Sequence, residues 1–243
     1  VQENFKEGDE IDLFKFPLPR HHEKDGGRYF GTAHCVITQD PDAGWVNLGT
    51  YRCMVMGKNT VGLHMSPGRH GRTMRDKFFE RSQPFKVAIA VGVDPALFLS
   101  STMAVPAGVS EYEFAGGLKG SPIEVLEGPY TGLPIPAHAE IVIEGECIPG
   151  EMQEEGPFGE WAGYYANNGL TPVREPVVRV KTLLYRNDQL AGNRSIRFRL
   201  VGTASNRDAI GAGVRIFHGG SSQSRMVKSG SSYLSQSELP VTF

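Results

Sequence analysis

Two glutamates, Glu155 and Glu160, flank the run Gly156-Pro157-Phe158-Gly159. Proline fixes its own φ and glycine admits the backbone angles of a tight turn, so the two carboxylates are held together by a rigid segment. Trp161, Ala162, Gly163, Tyr164 and Tyr165 follow, an aromatic and small-residue stretch expected to form a packed, partly dry wall. A carboxyl group against such a wall keeps its proton towards neutral pH and can act as a general acid. A surface turn with two solvated acids fits the same local pattern, and the motif alone leaves both readings open.

Three more stretches concentrate polar side chains among glycines. They are Trp45-Val46-Asn47-Leu48-Gly49-Thr50-Tyr51-Arg52, then Gly62-Leu63-His64-Met65-Ser66-Pro67-Gly68-Arg69-His70-Gly71, and later Gly108-Val109-Ser110-Glu111-Tyr112-Glu113-Phe114-Ala115-Gly116-Gly117-Leu118-Lys119-Gly120. With these in view the sequence resembles the UbiD family of prenylated-flavin-dependent (de)carboxylases. The branch it most resembles acts on hydroxylated aromatic acids such as protocatechuate and 4-hydroxybenzoate. The resemblance runs from about Asp9 to Arg186. It rests on Asn-x-Gly-x-x-Arg, Ser-Pro-Gly-x-His-Gly and Glu-Gly-Pro-Phe-Gly-Glu, which occur in the family's order and at its approximate spacing.

That resemblance implies a carboxy-lyase that reversibly and non-oxidatively decarboxylates an aromatic, phenolic acid with prenylated FMN. It implies that Asn47, His70 and Glu111 hold a divalent metal bridging to the cofactor's phosphate. An amide oxygen, an imidazole and a carboxylate suit Mn²⁺ or Mg²⁺ better than structural zinc. Glu113 competes for the third place, and the spacing to Glu155 favours Glu111. Gly49, Thr50, Tyr51, Arg52 and Arg69 match further cofactor-binding positions. Ser100-Ser101-Thr102-Met103 falls where the family binds K⁺, largely through backbone carbonyls; a hydroxyl-capped helix end reads the same way.

Arg52 matches the arginine that pairs with both glutamates and holds the substrate carboxylate, a task suited to its forked donors. Arg52, Glu155 and Glu160 are thus the implied catalytic residues, with Glu160 protonating the carbon left when CO₂ departs. His64, Met65 and Trp161 sit beside these motifs and are candidates to line a substrate pocket, or ordinary packing residues. The implied partners are a small aromatic acid, CO₂, a flavin prenyltransferase that supplies the cofactor, and further copies of the chain in a homo-oligomer. A catalytically inactive flavin-barrel fragment or scaffold is the competing class of function.

The elements that must position these residues are mostly strands. The 243 residues are 40% hydrophobic and 21% charged, with net charge −2, 30 glycines and 16 prolines. Such a balance suits a globular domain, and without a long basic run it argues against nucleic acid or an anionic membrane as the main partner. No apolar run reaches the length of a membrane span. The acidic N-terminus is unlike a signal peptide, and the scattered Cys35, Cys53 and Cys147 suit reduced thiols in the cytoplasm. Without an initiator Met the chain reads as a fragment or a processed product, and the natural protein is expected to be longer.

Short apolar runs bounded by turn residues predict a mainly β architecture with a few short helices. The expected strands cover residues 32–38, 50–56, 60–65, 85–91, 123–126, 140–145 and 177–184, with a hairpin at Met56-Gly57-Lys58-Asn59-Thr60. Helices are expected near 70–82 and 94–103, and another after Ser110, whose spacing to Glu113 is that of a capping box. Asp25-Gly26-Gly27 reads as a tight turn before a strand, with no catalytic role. Arg52 is expected on the same strand as Asn47 or at its mouth. The family's flavin domain is a split β-barrel, which matches this pattern over residues 1–187.

Composition changes after Asp188. Residues 194–200 alternate with period two, a strand signal. With Ser205-Asn206-Arg207-Asp208-Ala209-Ile210-Gly211-Ala212-Gly213 and residues 230–238, the segment 188–243 resembles an ASPIC/UnbV module, a small β domain. That module is foreign to the UbiD family at this point, so the join reads as a fusion or an assembly artefact.

Overall fold

The computed structural model describes residues 5–30, 33–165, 171–186, 197–201, 209, 211–218, 220–227 and 241–242. It divides into two units, Val1–Asn187 and Asp188–Phe243.

The first unit is built on one antiparallel nine-stranded sheet. In chain order its strands are β1 (Phe5–Glu7), β2 (Arg28–Tyr29), β3 (His34–Gln39), β4 (Val46–Gly49), β5 (Arg52–Gly57), β6 (Thr60–His64) and β7 (Phe85–Val91). A side hairpin of β8 (Val125–Glu127) and β9 (Pro134–Pro136) follows, and then the long β10 (Ile141–Glu155) and β11 (Val173–Tyr185) return to the main sheet. The order across the sheet is β2-β5-β6-β11-β10-β7-β3-β4, with β1 also paired to β11. This curled half-barrel is the split-barrel fold expected of a flavin-binding domain.

Local sequence explains most of these elements. Lys58-Asn59 closes the β5–β6 hairpin between the paired Gly57 and Thr60. Helix α1 spans His70–Glu80 and buries Met74 against the sheet. Helix α2 spans Pro95–Thr102; Asp94 caps it by accepting the Ala96 N–H, and Pro95 occupies the first turn, where no N–H is needed. Helix α3 spans Glu111–Lys119, begins with the Ser110/Glu113 capping box and ends at Gly120 in the left-handed region, φ 73°.

Alternation along the strands decides which side chains face the site. Cys53 and Val55 of β5 and Val61 and Leu63 of β6 enter the main core with Ile89, Ile143 and Val178. Arg52 and His64, paired opposite each other on β5 and β6, therefore share the other face. A second core, with Leu48, Leu97, Ala115 and Ile135, packs α2 and α3 onto β4.

Three expectations need correction. Asn47 and Arg52 lie on different strands, because Thr50 and Tyr51 break the ladder and β4 pairs with β3 while β5 pairs with β6. The strand expected over 140–145 runs on to Glu155, past an irregularity between Cys147 and Met152 that contains Pro149 and Gly150. Met65 is 1% exposed and fills the main core rather than lining a pocket.

In the second unit β12 (Arg197–Phe198) pairs with β15 (Val241–Thr242), and β13 (Gly213–His218) pairs with β14 (Ser221–Met226). Of the expected 194–200 strand, residues 194–196 lie outside the described residues. So do most of 205–213 and all of 230–238. No described helix is long and apolar enough to cross a membrane.

Candidate functional site

Two clusters of polar side chains lie at the two ends of the Thr50-Tyr51 link that joins β4 to β5. In the first, the Arg52 guanidinium grips Glu155 with both arms of its fork, Nε to Oε1 at 2.8 Å and Nη2 to Oε2 at 2.6 Å. Glu155 is fully buried and the Arg52 side chain is 11% exposed. The Phe158 ring lies under the guanidinium at 4.5 Å, a cation–π contact, and Tyr29 stands edge-on to Phe158. Burial, and next the neighbouring Glu155 carboxylate, push the Tyr29 phenol well above its ordinary value. Its hydroxyl therefore stays protonated beside the Arg52–Glu155 ion pair.

Glu160 follows the loop that this cluster carries. It is half-buried, its N–H donates to the Tyr164 carbonyl at 2.7 Å, and its carboxylate has no hydrogen-bond or ion-pair partner among the described residues. The structure thus joins Arg52 to Glu155 but not to Glu160. The expected dry wall is also absent here: Trp161 is 72% exposed and Tyr164 61%.

Beyond Arg52 on the same face, His64 Nδ1 lies 2.7 Å from Glu175 Oε1, and Ser66 Oγ 3.4 Å from His64 Nε2. Glu175 is 9% exposed. Nothing in its immediate sequence marks it, because its partner is 111 positions away.

The second cluster lines a cleft of about 230 Å³ bounded by β4, the start of α1 and the segment after α2. Asn47 Nδ2 donates to Glu111 Oε1 at 2.8 Å, and the Leu48 N–H donates to Glu111 Oε2 at 2.7 Å. The Tyr51 hydroxyl donates to Asn47 Oδ1 at 3.1 Å and accepts the Gly71 N–H at 3.0 Å, tying Asn47 to the first turn of α1. His70 opens that helix, with its ring edge-on to Trp45 at 4.8 Å. Gly49, Thr50, Arg69 and His70 line the same cleft. Glu113, the competing ligand, is exposed and accepts the Ser110 N–H as part of the helix cap.

The donor set fits a hard cation. Glu111 is 2% exposed, and burial raises its carboxyl pKa against the opposing pull of the Leu48 N–H and the Asn47 amide. The Asn47 amide and the Leu48 N–H are neutral donors, so the buried acid lacks a compensating positive charge among the described residues. No three His, Cys, Asp or Glu side chains cluster as a metal site among the described residues, and the candidate set depends on the Asn47 amide. The N-cap residue Arg69 gives α1 no side-chain cap, and with the Gly71 N–H taken by the Tyr51 hydroxyl an anion such as a phosphate would meet only the remaining first-turn N–H groups.

The hydroxyls of Ser100, Ser101 and Thr102 bond back to the carbonyls of Ala96, Phe98 and Leu99 in α2, as a helix end does. Ser101, Thr102 and Met103 also line the cleft.

Residues 1–194 match the UbiD family model, 3-octaprenyl-4-hydroxybenzoate carboxy-lyase Rift-related domain, and residues 202–243 match the ASPIC and UnbV model. The chain is 38% identical over 190 residues to pyrrole-2-carboxylic acid decarboxylase of Pseudomonas aeruginosa, covering 78% of this chain and 38% of that protein. It is 37% identical over 192 residues to phenolic acid decarboxylase of Streptomyces sp. (strain D7), covering 77% of this chain and 39% of that one. The chain therefore spans about two fifths of the length of these relatives. An evolved dimeric form of the UbiD-class enzyme HmfF from Pelotomaculum thermopropionicum, in complex with prFMN, superposes with a TM-score of 0.70 at 37% identity. The match covers 75% of this chain and 42% of that one. On a family model that matches most of its length, and on relatives that share its half-barrel, the chain belongs to the UbiD family.

Proposed function

We propose that this chain carries the cofactor-binding and acid–base half of a prenylated-FMN-dependent decarboxylase acting on aromatic, phenolic carboxylic acids. The observation that carries the reading is the Arg52–Glu155 fork beside the Gly156–Gly159 loop, with Arg52 joined through the short β4–β5 link to Asn47 of the Asn47–Glu111 cleft.

In this reading residues 1–187 are the flavin-binding domain and 188–243 an appended ASPIC/UnbV module. Asn47, His70 and Glu111 hold Mn²⁺ or Mg²⁺ against the phosphate. Gly49, Thr50, Tyr51 and Arg69 line its seat, and backbone carbonyls near Ser100–Met103 hold K⁺. Prenylated FMN, when bound, supplies the electron sink for the pair released as CO₂ leaves.

The chain's own residues do the rest. Arg52 Nη1, which has no partner among the described residues, receives the substrate carboxylate while Nε and Nη2 stay locked on Glu155. Glu155 is thereby the orienting acid and Glu160 the proton carrier: it gives a proton to the ring carbon in decarboxylation and removes one in carboxylation. A flavin prenyltransferase supplies the cofactor, and copies of the chain associate.

The test is co-expression with a flavin prenyltransferase under Mn²⁺ and K⁺, followed by CO₂ release from protocatechuate, 4-hydroxybenzoate and pyrrole-2-carboxylate. Turnover of the phenolic acids is expected. Turnover of the pyrrole acid alone would move the substrate class, and a loaded flavin with no turnover of any of the three would overturn the enzyme reading. The exposure of Trp161 and Tyr164 beside Glu160 favours a second reading, a flavin-binding scaffold completed by a partner. Light scattering of the loaded protein with and without activity separates the two.

A further inference from the structure

The loop that carries Glu160 is held from one direction, by residues 21–29. Asp25 is 1% exposed. Its Oδ2 accepts the N–H groups of His21 at 3.0 Å and His22 at 2.8 Å, four and three positions upstream, which closes the local turn. Its Oδ1 makes a third bond that the turn does not need: it accepts the Gly159 N–H at 2.8 Å, across 134 positions. A buried carboxylate satisfied by backbone N–H groups fixes those amides more firmly than a neutral acceptor does.

The rest of the contact is equally close. The Gly26 N–H donates to the Pro157 carbonyl at 2.8 Å. A Cβ on Gly26 would stand 1.8 Å from the Gly156 carbonyl oxygen, and one on Gly159 would stand 2.5 Å from the His22 ring. Neither glycine has a positive φ, so it is close approach that demands them, of the Gly156 backbone at Gly26 and of the His22 side chain at Gly159. Further along, the Lys24 N–H donates to the Tyr165 hydroxyl at 3.0 Å.

Gly159 is the residue before Glu160. Asp25 grips one side of Glu160 in the chain, and the Glu160 N–H to Tyr164 carbonyl bond closes the other. The backbone is therefore pinned, while the Glu160 carboxylate has no partner among the described residues. We infer that Asp25 is a positioning residue for the proton-transfer step: it fixes the point from which Glu160 reaches the reacting carbon, and Gly26 makes the close approach possible. The inference rests on reading Glu160 as the acid.

The test is Asp25→Asn in the cofactor-loaded protein. The amide keeps the two local bonds through its oxygen and turns its NH₂ towards the Gly159 N–H, so only the long link is lost. A misplacement of about 1 Å can cost on the order of 100-fold in rate, so kcat is expected to fall about 10- to 100-fold. KM and flavin content should stay as in the wild type, and the amides of 158–160 should exchange with deuterium faster.

Gly26→Ala leaves Asp25 intact and displaces the loop from the other side. It should show the same split, and it serves if Asp25→Asn does not fold. Asp40→Asn is the structural control, since Asp40 caps the N–H groups of Asp42 and Ala43 at 2.9 and 3.0 Å away from the site; it should lower the melting temperature and not kcat. Unchanged kcat in Asp25→Asn or Gly26→Ala overturns the inference. So does a loss matched by equal flavin loss, or an equal loss in Asp40→Asn. Glu160→Gln run alongside separates the two levels: full turnover there removes the acid reading itself, whereas an inactive Glu160→Gln beside an unimpaired Asp25→Asn removes only the positioning role.

Discussion

Arg52 and Glu155 are 103 positions apart and meet through two hydrogen bonds on the face of the sheet turned away from the hydrophobic core. A guanidinium held at two nitrogens cannot swing, so its remaining donor has a fixed direction. Under the proposed function the pair is a mount for the substrate carboxylate as well as a structural contact.

Arg52→Lys should raise KM for the acid substrate and lower kcat, since an ammonium cannot hold Glu155 with a fork and still present a directed donor. Arg52→Ala should destabilise the first unit by roughly 3–5 kcal/mol, because Glu155 is left buried and unpaired. Adding Glu155→Gln to Arg52→Ala should restore part of that loss. Denaturant midpoints of the two single variants and the double variant check this; equal midpoints for Arg52→Ala and wild type would contradict it.

Glu160→Gln should abolish turnover and leave the flavin bound. An amide cannot deliver the proton, and general acid catalysis is worth about 10²–10⁴ in rate. Initial rates with flavin absorbance on the same samples decide it. Retained turnover at full occupancy removes Glu160 from the role.

His70→Ala should lower Mn and flavin content together after gel filtration, because a ligand to the metal–phosphate bridge is gone. Tyr51→Phe should act more mildly. It keeps every proposed ligand but frees Asn47 Oδ1 and the Gly71 N–H, and loss of such an outer partner typically costs about 10- to 100-fold in metal affinity. Metal analysis of both variants is the measurement, and full Mn occupancy in His70→Ala rules out the ligand assignment.

His34 gives a pH signature. It is wholly buried, with Nε2 2.6 Å from the Tyr51 carbonyl, and burial lowers its pKa from 6.5 to about 4. The unfolded chain takes up the proton first as pH falls. The stability contributed by neutral His34 is therefore complete above about pH 6.5 and is lost progressively down to about pH 4, on the order of 3 kcal/mol in all. Unfolding midpoints measured across that window should fall for the wild type and fall less for His34→Gln. Parallel curves would show that His34 does not carry the dependence.

Local chemistry made much of the fold legible. The Lys58-Asn59 hairpin, the Asp94 and Ser110 caps and the apolar run of β7 are decided by residues within a few positions of one another. Strand β4 was not readable, because Val46-Asn47-Leu48-Gly49 is short and its identity comes from pairing with β3. β10 looked like a short strand because Pro149 and Gly150 interrupt it, although pairing with β11 resumes at Met152. In the site, Asn47, Arg52, Glu111 and Glu155 carried motif signals, while Glu175 and the outward reach of Asp25 did not. Both depend on partners more than a hundred residues away. Met65, one residue past β6, shows the converse, since adjacency to a motif said nothing about its turning into the main core.

The step from β4 to β5 has a metrical consequence. Asn47 belongs to the cleft end and Arg52 to the acid end, and only Leu48, Gly49, Thr50 and Tyr51 lie between them. Five residue steps span at most about 18 Å. Tyr51 is clamped at both its carbonyl and its hydroxyl, so this stretch cannot pay out slack. Under the proposed function it would work as a gauge block whose length sets how far the cofactor's reacting end stands from its phosphate seat. One residue inserted between Leu48 and Tyr51 adds about 3.3 Å to that gauge. Such a variant should still fold and hold metal, yet present the substrate to the wrong part of the ring; loss of metal together with turnover would show that the two ends are not independently set.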